Sequence, residues 1–245
     1  MRQSGRDRDF QIIRSRLASS CTLTVLTGAG ISADSGIPTF RGREGLWKQF
    51  KPEDLATPQA FSNDPRLVWE WYNWRRGLIA SKSPNAGHYV IAEMEKQVSR
   101  FHLVTQNVDG LHERAGSTNP IELHGNIWKV RCTHCHRISF NFETPLRILP
   151  TCAECGGLLR PHIVWFGEQL EEEVLEKTAA VLRQTDLMMI IGTSGIVHPA
   201  ASFAGLAKSR GAFLVEINPE RTPMSQEMDI TLRGKGMEIL PLLLA

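Results

Sequence analysis

Leu23-Thr24-Val25-Leu26-Thr27-Gly28-Ala29-Gly30-Ile31-Ser32-Ala33-Asp34 is the stretch on which the fold turns. Leu23 to Thr27 reads as a buried strand, and it runs straight into two glycines spaced by one residue. Glycines there let another backbone or a ligand come close, and a helix that follows offers its N-terminal amides to a pyrophosphate. The loop lacks the third glycine of the usual dinucleotide fingerprint, so taken alone it also fits a plain strand-to-helix turn.

Working outward, three further apolar runs resemble the first: Phe101 to Thr105, Leu187 to Ile191 and Phe213 to Ile217. Runs without polar alternation favour a parallel sheet covered on both faces. Helical patterns lie around them at Asp9 to Ala18, Ala86 to Val98 with Asn85 as N-cap, Glu171 to Gln184, and His198 to Ser209. Strand and helix in alternation predict an α/β, Rossmann-like, doubly wound parallel sheet. Two segments break the rhythm: a Trp-rich helical stretch over 40–84 and a cysteine-bearing stretch over 129–160. The reading is a large unit of 1–39, 85–128 and 161–245, with the two insertions forming a smaller helical and zinc-binding domain. Ligands of such sheets lie outside the carboxyl ends of the strands, which puts the site in the groove between sheet and insertions.

The chain has 245 residues, 42% of them hydrophobic, enough for a sizeable core and against disorder as the default. A net charge of +2, without a run of five like charges, argues against a nucleic-acid-binding arm. Met1 to Arg8 does not resemble a secretory leader, and Leu187 to Ala207, free of Asp, Glu, Lys and Arg, is interrupted by Gly192, Gly195, His198 and Pro199. The expectation is a soluble, cytoplasmic protein that engages neither membrane nor nucleic acid directly.

Cys132-Thr133-His134-Cys135 and Cys152-Ala153-Glu154-Cys155 are two Cys-x-x-Cys knuckles separated by sixteen residues. This is the spacing of a four-thiolate zinc site, and four thiolates leave the ion no place for an activated water, so the zinc reads as structural. Replacement of one thiol by His134 or His136 is the alternative ligand set, and a nucleic-acid-binding zinc ribbon is the rival module. Cys21 reads as a small core residue.

Three blocks go further: Ser35-Gly36-Ile37-Pro38-Thr39-Phe40-Arg41-Gly42, Thr105-Gln106-Asn107-Val108-Asp109-Gly110-Leu111-His112, and Leu123-His124-Gly125. In that order, with Gly192-Thr193-Ser194, Asn218-Pro219-Glu220 and Gly236 after them, they resemble the sirtuins over roughly Leu17 to Leu240. The resemblance implies an NAD-consuming protein lysine deacylase. It implies a cofactor site of Gly28, Ala29, Gly30, Ala33, Asp34, Thr39, Phe40, Arg41, Gln106, Asn107, Asp109, Gly192, Thr193, Ser194, Asn218, Glu220 and Gly236. Asn107 and Asp109 are implied to hold the nicotinamide carboxamide, Phe40 to lie over that pocket as a movable lid, and His124 to act as general base on a ribose hydroxyl. The implied reaction has the acyl oxygen attack the ribose C1 of NAD, expel nicotinamide, and end in free lysine and O-acyl-ADP-ribose. His162-Ile163-Val164-Trp165-Phe166-Gly167-Glu168 resembles the segment that pairs with substrate peptide, with Val164, Trp165, Phe166 and Gly167 at the acyl-lysine tunnel.

Trp69-Glu70-Trp71-Tyr72-Asn73-Trp74-Arg75-Arg76 lies in a predicted helix from Asp64 to Ala80. Tyr72 and Arg75 are three apart and share a face. A guanidinium beside a phenol suits a carboxylate, although the pair also fits a solvated helix face. The two match the Tyr-x-x-Arg mark of desuccinylase-like sirtuins, with Ala56 as the small residue that makes room for a longer acyl chain. The resemblance thus implies removal of succinyl or malonyl as well as acetyl. The rival readings are a nicotinamide-dependent dehydrogenase and an NAD- and zinc-binding module without turnover.

Overall fold

The computed structural model describes residues 2–19, 21–40 and 45–244. Its larger sheet has six parallel strands: β1 (Thr22–Thr27), β2 (Arg100–Thr105), β3 (Ile121–Glu122), β7 (Leu187–Ile191), β8 (Phe213–Ile217) and β9 (Ile230–Leu232). Their order is β3-β2-β1-β7-β8-β9. The chain starts at the centre, winds to one edge, returns beside β1 and winds to the other, which is the doubly wound arrangement expected. The short edge strands β3 and β9 give too brief an apolar run to be seen in the sequence.

Alternation along the strands splits the core into two layers. Leu23 and Val25 face a cluster with Ile91, Met94, Ile239 and the amino-terminal helix Arg2–Ala18. Leu26, Met188, Ile190 and Leu214 face the opposite layer, with Leu182, Phe203 and Ala207. Cys21 is buried in the first layer, and burial pushes its thiol pKa up. The helix Ala86–Gln97 begins as anticipated, with the Asn85 side chain accepting from Gly87 N at 2.9 Å. The fourth predicted helix starts late: Ala200–Ser202 is a tight 3-10 turn and the α-helix runs from Phe203 to Ser209. Pro199 carries no N–H, and the residue before a proline is kept out of helical conformation.

A second sheet holds β4 (Gly125–Cys132), β5 (Ile138–Phe140) and β6 (Leu159–Ile163), antiparallel in the order β5-β4-β6. Helices Pro52–Leu55, Pro58–Asn63 and Pro65–Ala80 pack beside it, each with proline in its first turn, and Asp64 caps the longest through Leu67 N. A separate aromatic core joins these parts, including Trp69, Trp71, Tyr72, Trp128 and Trp165. No helix among the described residues is long and apolar enough to cross a membrane.

Candidate active site

The loops that follow β1, β2, β7 and β8 meet at the carboxyl end of the large sheet, where the winding reverses between β1 and β7. Gly28 N donates to Ile191 O and Gly30 N to Gly192 O, at 3.0 and 2.8 Å. A Cβ on Gly28 would lie 2.8 Å from Thr193 Cα, and one on Gly192 2.6 Å from Ile31 N. The glycines therefore weld two loops backbone to backbone before any ligand arrives, and Gly192 also takes a positive φ of 62°. Thr193 extends the weld: its Oγ1 accepts from Gln106 Nε2 at 3.0 Å and its carbonyl from Asn218 Nδ2 at 2.8 Å. Four of the predicted cofactor blocks are thus held in one rim. Ala29, Ser194 and Thr39 are partly exposed along it, and Ala33 and Glu220 are exposed. Asp34 pairs with Lys235 at 2.8 Å, and Gly236 is buried beside Ile191 and Ile31. Arg41 lies outside the described residues.

Asn107 and Asp109 are both buried and converge on Ser32. The Ser32 hydroxyl donates to Asp109 Oδ2 at 2.8 Å and accepts from Asn107 Nδ2 at 3.2 Å. His88 Nε2 lies 3.3 Å from the same oxygen, while its Nδ1 accepts from Asn85 N at 3.2 Å. Because Nδ1 accepts, the neutral ring carries its proton on Nε2 and donates it to Ser32. Burial holds His88 down to about 4, so it stays neutral. His112 sits behind it, ring centroids 5.0 Å apart, and bonds Thr27 Oγ1 at 2.9 Å. Burial raises the Asp109 pKa, offset in part by its bonds from Leu111 N and Ser32 and by the charge of Arg75. Sequence reasoning passed over Ser32, His88 and His112. The signal available for His88 was its place at the third position after the Asn85 cap.

His124 follows β3, and its Nδ1 lies 3.0 Å from Gln106 O. A carbonyl only accepts, so Nδ1 carries the proton and Nε2 keeps a free lone pair. Burial lowers the His124 pKa below its ordinary 6.5, with the Gln106 bond opposing. The arrangement is a neutral imidazole of fixed tautomer, fit to take a proton.

Tyr72 and Arg75 are 2% and 4% exposed, so the solvated-face reading fails. Arg75 is sandwiched by rings, its guanidinium carbon 4.5 Å from the Phe40 centroid and 5.2 Å from that of Trp71. Arg76, one residue on, donates to the carbonyls of Ile127, Asn141 and Glu143 and to Asn141 Oδ1. It ties the helix to the small sheet, whereas Arg75 makes no hydrogen bond or ion pair among the described residues. Ala56 is buried, and its carbonyl accepts from Phe166 N at 2.9 Å. Val164 N is committed to His124 O at 3.0 Å and Trp165 N to Glu168 Oε2 at 2.8 Å. These amides serve the fold, so any main-chain pairing with a peptide falls to carbonyls and to Gly167, which turns at φ 86°. Phe166 is exposed and edge-on to Trp47, with centroids 5.8 Å apart.

Cys132, Cys135, Cys152 and Cys155 bring their sulfurs within 4.8 Å of one another, the Cys132–Cys155 and Cys135–Cys152 pairs lying at 3.5 and 3.7 Å. Thiolates bound to zinc at about 2.3 Å sit about 3.8 Å apart, so the four fit one tetrahedral ion, and neither His134 nor His136 joins them.

The model of the Sir2 family matches residues 28–199. An NAD-dependent protein deacylase of Aquifex aeolicus is 54% identical over 215 residues, covering 87% of this chain and 90% of that protein. NAD-dependent protein deacylase 1 of Caldanaerobacter subterraneus subsp. tengcongensis is 54% identical over 231 residues, covering 94% and 96%. Among solved structures, a Sir2 homolog–NAD complex superposes with a TM-score of 0.89 at 45% identity over 96% of this chain and 92% of that one. A Sir2 variant with a deacetylated peptide and 3′-O-acetyl ADP ribose superposes at 0.85 and 29% identity, over 96% and 97%. This chain belongs to the Sir2 family.

Proposed function

We propose that this protein is an NAD-dependent protein lysine deacylase that removes acyl groups ending in a carboxylate, succinyl and malonyl, as well as acetyl. Its substrates are acylated lysines of proteins, and its five free cysteines fit a reducing, cytoplasmic setting. NAD, when bound, supplies the ribose carbon that accepts the acyl oxygen and the nicotinamide that leaves. The chain's own residues do the rest. The rim of Gly28, Gly30, Gly192, Thr193 and Asn218 holds the nucleotide, and Asn107 and Asp109, fixed by Ser32, orient the carboxamide. His124 takes a proton at Nε2 from a ribose hydroxyl, the step for which its tautomer is set. Cys132, Cys135, Cys152 and Cys155 would hold a zinc ion that ties the end of β4 to the loop before β6, and four thiolates would leave it no open position for chemistry.

The observation that carries the acyl assignment is Arg75, a buried guanidinium with no hydrogen bond or ion pair among the described residues. Burying an unpaired charge costs several kcal/mol, and aromatic faces return only about 0.5–2 kcal/mol of that each. Two more donors lie beside it: the Tyr72 O–H has no acceptor, and the buried Trp71 Nε1–H has no partner, among the described residues. The charge of Asp109 is felt at Arg75, which supports reading this cluster as a neighbour of the pocket proposed for nicotinamide. A carboxylate at the far end of an acyl chain would supply the anion that Arg75 lacks and an acceptor for the Tyr72 O–H.

The test presents one lysine peptide, succinylated or acetylated, with and without NAD, and follows free lysine peptide, nicotinamide and O-acyl-ADP-ribose by mass spectrometry. NAD-dependent loss of both groups, with succinyl favoured, is expected. Removal of acetyl alone would leave the deacylase and overturn the acidic-acyl assignment.

A further inference from the structure

Trp165, two residues beyond the end of β6, lies against Tyr72. Trp165 Nε1 donates to the Tyr72 oxygen at 2.8 Å across 93 residues of sequence, and both groups are buried. Trp165 is held by its neighbours. Arg160 lies over its face at 3.5 Å from the centroid, the Glu168 carboxylate accepts from its backbone N at 2.8 Å, and Phe61 packs against it with centroids 5.3 Å apart. Arg160 and Glu168 are locked to each other by two bonds of 2.5 and 2.9 Å, and Arg160 also bonds Ile163 O at 2.9 Å. An ion pair this enclosed is an expensive support for one side chain unless the orientation of that side chain matters.

The consequence is directional. An indole N–H can only donate, so the Tyr72 oxygen must accept from Trp165. A phenol proton lies in the plane of its ring and has two orientations, one on each side of the oxygen. Trp165 occupies one side and drives the O–H to the other, where no described residue accepts it.

We propose that Trp165 is a positioning residue for acyl selectivity: its Nε1–H fixes Tyr72 as a hydrogen-bond donor, so that the phenol delivers its proton to the acyl carboxylate alongside Arg75. This rests on the acidic-acyl reading. Without the indole N–H the phenol is free to turn its proton away, and a share of the desuccinylation advantage is lost while the acetyl group, which has no carboxylate, is indifferent.

The experiment measures kcat/KM for the succinyl and acetyl forms of one peptide in the wild type, Trp165→Phe, Tyr72→Phe and the double variant. Trp165→Phe is expected to lower desuccinylation about 5- to 20-fold more than it lowers deacetylation, the worth of one buried hydrogen bond on top of any change in the tunnel that both acyl groups share. In the Tyr72→Phe background the further Trp165→Phe change should leave the ratio of desuccinylation to deacetylation unaltered, because Trp165 acts on selectivity through that hydroxyl. Should Trp165→Phe fold poorly, replacement of Trp165 by benzothienylalanine keeps the shape and removes only the N–H, and the same loss is expected. Equal losses for both acyl groups, or undiminished desuccinylation, would overturn the role of Trp165. A wild type that does not desuccinylate would instead overturn the acidic-acyl reading beneath it.

Discussion

Arg75 and Arg76 are adjacent in sequence and both buried, yet Arg76 is bonded to three main-chain carbonyls while Arg75 touches only ring faces. Arg76 is built into the fold and Arg75 is kept for something else. Successive helical residues point about 100° apart, so one reaches the small sheet and its neighbour the groove.

The two substitutions should therefore separate. Arg75→Met is expected to lower desuccinylation about 10- to 100-fold, the worth of one charge-assisted bond of about 1.5–3 kcal/mol, with deacetylation and thermal stability little changed. Arg76→Met should do the reverse, destabilising the protein by about 2–5 kcal/mol as its carbonyl partners lose their donor. Acyl-specific kinetics with thermal melts in parallel would show the crossover, and equal kinetic losses in Arg75→Met would make it merely structural.

His124→Ala should reduce deacylation of either acyl group by at least about 100-fold. In the wild type the base must be neutral, and burial lowers its pKa from 6.5. The acid limb of kcat/KM should accordingly have its midpoint below pH 6.5, with this group causing no fall up to pH 8. A midpoint above 7 would show that another group governs the step.

His88 predicts a stability change. Its folded pKa is about 4 against an ordinary value of 6.5. Between these pH values the unfolded chain binds a proton that the native state refuses, so stability is fully present above pH 6.5 and is lost as pH falls towards 4, by up to about 3 kcal/mol from this residue. Urea unfolding at pH 5 and pH 7 should show a smaller difference in His88→Gln than in the wild type. Some slope should persist, because burial lowers His112 in the same direction.

Removal of zinc should unfold the sheet of β4, β5 and β6 and abolish turnover indirectly, since Val164 N, just beyond β6, is bonded to His124 O. Exchange of zinc for cobalt should preserve both kcat and its pH profile, because a closed four-thiolate ion takes no part in the reaction. A shifted profile after exchange would point to a metal-bound water.

Local chemistry made much of this protein legible in its sequence. The apolar runs of β1, β2, β7 and β8, the Asn85 cap and the cysteine spacing each depend on residues close together in the chain, and each reads correctly because strand period, helix capping and metal geometry are short-range constraints. The edge strands β3 and β9 and the late start at Phe203 escaped because too few residues signal them, or because a proline intervened. Only the tertiary structure decided which of two adjacent arginines is free, that Ser32 and His88 stand behind Asn107 and Asp109, and that Trp165 meets Tyr72. Those partners are separated by 56 to 93 residues and come together only through tertiary packing, the first group where β1 pairs with β2 and the second where helix Pro65–Ala80 packs beside the small sheet. Burial then gives them their function, because a buried polar group must be paired or kept for a ligand, and the sequence does not state which groups will be buried together.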